Sequence, residues 1–262
     1  MADSANHPSS RKGACLVIGA GNATGGAVAR RFAREGYIAC VTRRSLEKLQ
    51  PLKAQIETEG GVCHAFGSDA RVEDEVVALV EKIETEIAPI EVMVFNIGAN
   101  SPNSILTETA RRYTKMWEMA CLAGFLTGRE VAKRMVAREL AAPAASPGVP
   151  HKGTIIFTGA TASLRGSAGF AGFSGGKMAL RALAQSMARE LGPLGVHVAH
   201  PIIDGAIDTE FIRTQFPQRY AMKDQDGIVN PEHIADAYWM LHRQPRDAWT
   251  HELDLRPYME KF

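Results

Sequence analysis

The 262-residue sequence has no long apolar run, almost no excess charge of either sign and only four cysteines. A membrane-spanning helix needs ~18 or more consecutive apolar residues, and no stretch approaches that, so the sequence gives no reason to expect a membrane. The formal net charge is +1, which offers no basic face to nucleic acid or to anionic lipid. Cys15, Cys40, Cys63 and Cys121 are far apart and form no Cys-x-x-Cys pair. That spacing argues against a disulfide framework or a zinc site and fits a reducing cytoplasm. His197 and His200 lie three apart on a strand-like run, so they face opposite sides and cannot share a metal. No other group has metal-ligand spacing, and there is neither a nucleophile elbow nor a P-loop.

What is present is alternation. Apolar strand-like runs at Cys15–Ile18, Ile38–Thr42, Val62–Phe66, Glu91–Phe95, Thr154–Thr158, His197–Ile203 and His251–Leu255 are separated by amphipathic stretches such as Ala27–Glu35, Leu46–Glu57, Val72–Ile87 and Met178–Leu191. Strands alternating with helices mean βαβ units and a parallel sheet, and right-handed crossovers place helices on both faces. Residues 1–12 read as a disordered tail. The Pro-rich and Ala-rich run Ala141–Pro150 reads as a surface loop. Thr209–Asn230, polar with Phe211, Phe216, Tyr220 and Met222 interleaved, reads as a long irregular lid over a binding site.

The first strand runs into Gly19-Ala20-Gly21-Asn22-Ala23-Thr24-Gly25-Gly26, and a helix follows. Glycines there let backbone approach a pyrophosphate while the helix N-terminus aims free N–H groups at it. A glycine turn alone can simply close a tight βα connection, but its place after the first strand of a βαβ unit points to a dinucleotide. At the end of the second strand, where an Asp or Glu would bind the ribose 2′-hydroxyl of NAD, stand Arg43 and Arg44. Guanidinium groups match a 2′-phosphate with paired donors, which favours NADP(H) over NAD(H). The bland alternative is a solvated basic corner. The expected fold is therefore a single doubly wound, Rossmann-type α/β domain over residues 13–262, with a central, mostly parallel, seven-stranded sheet.

With these landmarks in order and spacing, the chain resembles the short-chain dehydrogenase/reductase family from about Ala14 to Pro257. The resemblance implies that Asp69 faces adenine. It sets Phe95-Asn96-Ile97-Gly98 where the family has Asn-Asn-Ala-Gly, lets Lys177 hold the nicotinamide ribose, and makes Thr209 a coenzyme contact. Gly19, Gly21, Asn22, Thr24, Gly25, Asn96 and Gly98 complete the implied coenzyme site. Asp204-Gly205 replaces the family's Pro-Gly, and Ala23 stands where the turn usually has Gly.

The family's catalytic Tyr, Ser and Asn align with Phe173, Ala160 and Cys121, so only Lys177 remains of the four. Phe170, the tyrosine position of enoyl reductases in the family, is not a Tyr either. The resemblance is thus to a divergent branch with Phe for Tyr. Candidate replacement hydroxyls are Thr161, Ser163, Tyr113 and Tyr220. Ser174, pointing elsewhere on its helix, is a weak one. Thr161 and Ser163 read better as strand-end caps, and the tyrosines as packing.

The expected activity is NADP(H)-dependent oxidoreduction of a carbonyl or activated-alkene small molecule with an altered proton donor. The alternative is a catalytically silent NADP(H)-binding protein, a sensor or structural partner. A scaffold that has lost the coenzyme too rests on Ala23 alone. The resemblance implies pairing through the fourth and fifth helices and the last strand, so a homodimer or homotetramer is expected. The helical stretch Thr107–Ala137 would form its contact, and Gly172, Gly175 and Gly176 would allow close packing.

Overall fold

A computed structural model describes residues 12–98, 100–139 and 151–260. The tail before Lys12 and the Ala141–Pro150 run lie outside the described residues. Lys12 itself is held: its N–H donates to Gly36 O, and its ammonium lies 5.0 Å over both the Tyr37 and Trp239 rings.

Strands and helices alternate in the expected order. They are β1 Ala14–Ile18, α1 Thr24–Arg34, β2 Ile38–Arg43, α2 Gln50–Thr58, β3 Val62–Gly67, α3 Glu73–Glu86, β4 Ile90–Phe95, α4 Ala110–Trp117, α5 Ala123–Val136, β5 Gly153–Phe157, β6 Gly159–Ala160, α6 Ala171–Leu191, β7 Val196–Ile203, α7 Glu210–Gln215, α8 Pro217–Tyr220, α9 Pro231–His242 and β8 Glu252–Leu255. The order across the sheet is β3-β2-β1-β4-β5-β7, with β8 also on β7, and the strand pairings are parallel.

The expected seven strands become eight for a local reason. β5 and β6 pair with β7 in one continuous register, Ile156 opposite Ala199 and Gly159 opposite Ile202. Between them Thr158 leaves the ladder. Its N–H donates to Phe95 O, and its carbonyl accepts from the Lys177 ammonium at 2.8 Å. The break in the strand is where the sheet supplies an acceptor to the site.

Residue alternation builds a core on each face. Cys15 and Val17 pack with Phe32, Ile56, Tyr238 and Trp239 under α1, α2 and α9. Leu16 and Ile18 pack with Ile83, Met135, Phe157 and Leu180 under α3, α5 and α6. β1 is buried along its whole length, as a strand covered on both faces must be.

The long helix of residues 107–137 is two helices joined through a π-turn, Glu118–Leu122, which holds Cys121. It begins at Ala110, where the Thr109 hydroxyl caps it by accepting the Arg112 N–H. The three glycines of α6 have an intrachain use. A Cβ added at Gly172 would lie 2.6 Å from Met116 Sδ, at Gly175 2.7 Å from the Tyr113 hydroxyl, and at Gly176 2.9 Å from Ala120 Cβ. They let α6 close on α4 within one chain, so their smallness needs no second subunit.

The lid differs from expectation as well. Where the sequence reads as an irregular loop, the chain forms α7, α8 and a helical turn at Lys223–Gln225. Pro217 opens α8, and the Thr209 hydroxyl caps α7 by accepting the Ile212 N–H.

Candidate functional site

Strand order reverses direction between β1 and β4, and ligands in open α/β sheets bind outside the carboxyl ends of strands at such a point. A cavity of about 600 Å³ opens there. Gly19, Gly21, Asn22, Ala23, Thr24 and Gly25 form one wall, Asn96 and Gly98 the next, and Thr158 to Ala162 with Phe170, Phe173, Ser174 and Lys177 another. Gly205 to Ile207, Thr209 and the lid residues Phe211, Ile212, Phe216 and Arg219 close it.

Two glycines in the turn are sterically required. Gly19 has φ +85°, and a Cβ at Gly25 would sit 2.7 Å from Gly19 O. Gly21 instead faces open space, which leaves its backbone approachable from the cavity. Ala23 has φ −112° and ψ −128° and caps α1 without a side-chain bond. A β-carbon is therefore tolerated, and the first-turn N–H groups of α1 have no side-chain cap. Asn96 ties the turn to β4 by donating to Gly19 O at 3.3 Å.

A second cavity of about 170 Å³ shares Gly19 and Gly98 with the first and is lined by Arg43, Arg44, Ser68, Asp69 and Arg71. Asp69 accepts from Arg71 Nε at 2.9 Å and Nη2 at 2.5 Å, and these bonds hold its carboxyl below the usual carboxylate range. Arg71 was not singled out from sequence. The available signal was its spacing, Asp-x-Arg immediately after β3. Three guanidinium groups thus gather around one carboxylate at this end.

Lys177 is 3% exposed. Its ammonium donates to Thr158 O at 2.8 Å and Ile97 O at 3.2 Å, which commits two of its three N–H groups. Burial lowers its pKa to about 8. A buried, polarisable proton donor thus lies on the cavity wall one helical turn after Phe173.

The profile of the short chain dehydrogenase family matches residues 14–219. The chain is a short-chain dehydrogenase/reductase. It is 28% identical over 230 residues to the short-chain reductase protein NovJ of Streptomyces niveus, covering 84% of this chain and 78% of that one. A crystal structure of a short-chain dehydrogenase from Rhodopseudomonas palustris is 44% identical, covers 94% of this chain and 98% of its own, and superposes with a TM-score of 0.75. A metagenomic short-chain oxidoreductase solved in complex with NADP is 22% identical, covers 94% of this chain and 98% of its own, and shares the fold with a TM-score of 0.76. The oxidoreductase class and a fold that binds a nicotinamide coenzyme follow from the family.

In this short-chain dehydrogenase, Phe173, Ala160 and Lys177 line one cavity, whereas Cys121 is not among the described lining residues. Burial raises the Cys121 thiol pKa, which favours the neutral thiol. Ser163 accepts the Ala160 N–H at 3.1 Å and serves the turn, as its position suggested. Tyr113 packs over Gly175 and Tyr220 lies by Lys223; neither lines the cavity. Ser174 corrects the sequence reading. It lines the cavity and its hydroxyl is buried without a partner. Its position one residue after Phe173 suggested divergence, but the cavity runs along the helix and admits both. Thr161 also lines the cavity, and its hydroxyl donates at 2.5 Å to Asp204. Asp204 is itself 1% exposed and paired with Arg256 at 3.2 Å. This buried carboxylate fills the family's proline position, and no pattern in the sequence marked it as a partner of Thr161.

Proposed function

We propose that this chain is an NADP(H)-dependent oxidoreductase acting on a carbonyl or activated-alkene substrate with an altered proton donor, on a branch that carries Phe for Tyr. One observation carries the reading: a cavity that runs from the glycine turn to Lys177 shares Gly19 and Gly98 with a second cavity lined by Arg43, Arg44 and Arg71. The residues fit the coenzyme. The uncapped N-terminus of α1 and the open face of Gly21 suit a pyrophosphate, and the arginines suit a 2′-phosphate. The metagenomic neighbour that holds NADP has the same fold.

The coenzyme supplies hydride, and the chain supplies the rest. Thr209 and Lys177 orient the reacting end. Phe170, Phe173 and the lid exclude water. Among the described lining residues, Lys177 is the side chain whose burial brings its pKa close to neutrality, to about 8. With one N–H uncommitted it can polarise a carbonyl oxygen and pass it a proton, in the range where general acids are most effective. The same reading includes Asp69 at the adenine end, a homodimer or homotetramer, and a cytoplasmic setting consistent with four free cysteines. Exposed Trp117, Phe125 and Met178 on the α4–α5 and α6 surface support the subunit contact, and light scattering of the purified protein tests it.

Calorimetric titration with NADPH and NADH tests the coenzyme. NADPH binds tightly and NADH weakly. In Arg43→Ala/Arg44→Ala, NADPH weakens by about ten- to a hundredfold, the scale of lost charge-assisted bonds, while NADH is unchanged. Equal affinity for both coenzymes in the parent protein sinks the NADP(H) assignment. The second reading, a silent coenzyme-binding protein, is favoured by the absence of a tyrosine among the described lining residues. It falls if labelled NADPH transfers hydride to any ketone or enone above background.

A further inference from the structure

The cavity lining carries charge of one sign. Among the described residues that form it, the ionisable side chains are Lys177 on the inner wall and Arg219 on the lid, with no carboxylate. The other lid cations are neutralised where they stand: Arg213 by Glu210, and Lys223 by Asp208. Arg219 differs. Among the described residues its carboxylate partner is Glu260, which engages Nη2, at 2.9 and 3.2 Å. Among the described residues, Nε and Nη1 of the guanidinium are left for a second acceptor. Arginine presents a fork suited to a planar carboxylate.

The same cavity is lined by apolar and aromatic side chains, Phe170, Phe173, Phe211, Ile212 and Phe216, the last three on the lid with Arg219. Phe211 and Phe216 stack edge to face at 5.9 Å, yet each remains more than two-fifths exposed, at 44% and 43%. Apolar rings left in water on a lid gain free energy when a ligand covers them. A cation beside them selects a ligand with an anionic end.

Resting on the oxidoreductase reading, we infer that the substrate of this site is an amphiphilic carboxylic acid. Its apolar body lies against the lid phenylalanines, and its carboxylate is received by Arg219 in competition with Glu260.

Binding, not turnover, decides the matter. Protein saturated with NADPH is titrated calorimetrically with hydrocinnamate, its alcohol hydrocinnamyl alcohol and its amine analogue, three probes with one apolar body. Hydrocinnamate binds about tenfold more tightly than the alcohol, as one charge-assisted pair gives, and the amine binds most weakly. In Arg219→Gln the acid and the alcohol become equal, with NADPH affinity unchanged. In Glu260→Gln the acid binds more tightly and the alcohol does not. The inference is overturned if the acid has no advantage, if its advantage survives Arg219→Gln or does not rise in Glu260→Gln, if Arg219→Gln weakens NADPH instead, or if none of the three binds. The separate NADPH titration of the parent protein reports on the coenzyme reading, so the two can fail independently.

Discussion

Phe173→Tyr combined with Ala160→Ser is expected to raise the rate of ketone reduction by NADPH by about 10²–10⁴-fold, the range in which positioned acid–base groups contribute. The expectation follows from what is already in place. Both positions line the cavity that holds Lys177. Phe173 lies one helical turn before the lysine on α6, so a phenol oxygen at its ring tip would share the pocket with the ammonium. A nearby cation favours the ionised form of a phenol, and a lowered phenol pKa is what a proton-transfer group needs near neutrality.

The gain has a pH signature. The parent protein loses whatever activity it has as pH rises through about 8, where the Lys177 ammonium deprotonates. The double variant adds a second ionisation, that of the new phenol. Loss of NADPH absorbance on a panel of ketones measures the effect. Intact NADPH binding with no gain on any ketone would mean that the substrate end of the cavity does not align with this acid, and would favour the silent coenzyme-binding reading.

How far the residues alone lead depends on the range of the interaction that decides each feature. Period-two alternation in β1, with Cys15 and Val17 to one face and Leu16 and Ile18 to the other, is local and shows in the sequence. So is the glycine turn, because Gly19 answers to its own φ of +85° and Gly25 to the backbone of Gly19 and Ala20 a few residues away. The position of the arginine pair, Arg43 ending β2 and Arg44 following it, is equally local. What did not show is long-range. The Thr161–Asp204 bond spans 43 residues. Both members look ordinary alone, and only the parallel neighbours β6 and β7 bring them together.

Ser174 was misjudged because helical direction alone does not say how wide a cavity is. The lid was read as irregular because its helices are a few residues long and begin at a capping Thr209 and at Pro217, signals that equally mark turns. The glycines of α6 were read as intersubunit spacers, since small size reports close approach without saying to what. Here the answer is α4 of the same chain.

Lowering the pH from neutrality to about 5 is expected to cost this protein on the order of 5 kcal/mol of stability, comparable to the ~5–15 kcal/mol that domains possess in total. The cause is a group of histidines at the end of the sheet opposite the cavity. His242 sits between the Tyr37 hydroxyl at 2.7 Å from Nε2 and the Thr154 hydroxyl at 2.9 Å from Nδ1. His151 lies with its ring centroid 5.3 Å from that of His242 and bonds the His242 carbonyl at 2.9 Å. His197 stacks on Trp249 at 4.9 Å and bonds the Thr250 carbonyl at 2.9 Å. Burial lowers all three, His151 to about 4 and His242 well below 6.5, and the Lys12 ammonium and the neighbouring imidazoles add to the effect on His242.

The folded pKa values are depressed, so the unfolded chain takes up protons first as pH falls below about 6.5. Stability is full above that value and is lost progressively as the pH falls, at about 1.4 kcal/mol per pH unit for a fully depressed histidine, and for His151 the loss continues down to about 4. His200, also lowered to about 4 by burial, acts in the same direction from the middle of β7. Urea midpoints between pH 7 and pH 5, set beside those of His151→Gln and His242→Gln, measure the contribution. Each variant is less stable at neutrality but loses less on acidification. A midpoint that falls as steeply in both variants as in the parent would place the acid sensitivity elsewhere, among carboxylates such as Glu232 and Asp236 of α9, which pair with the arginines of α1.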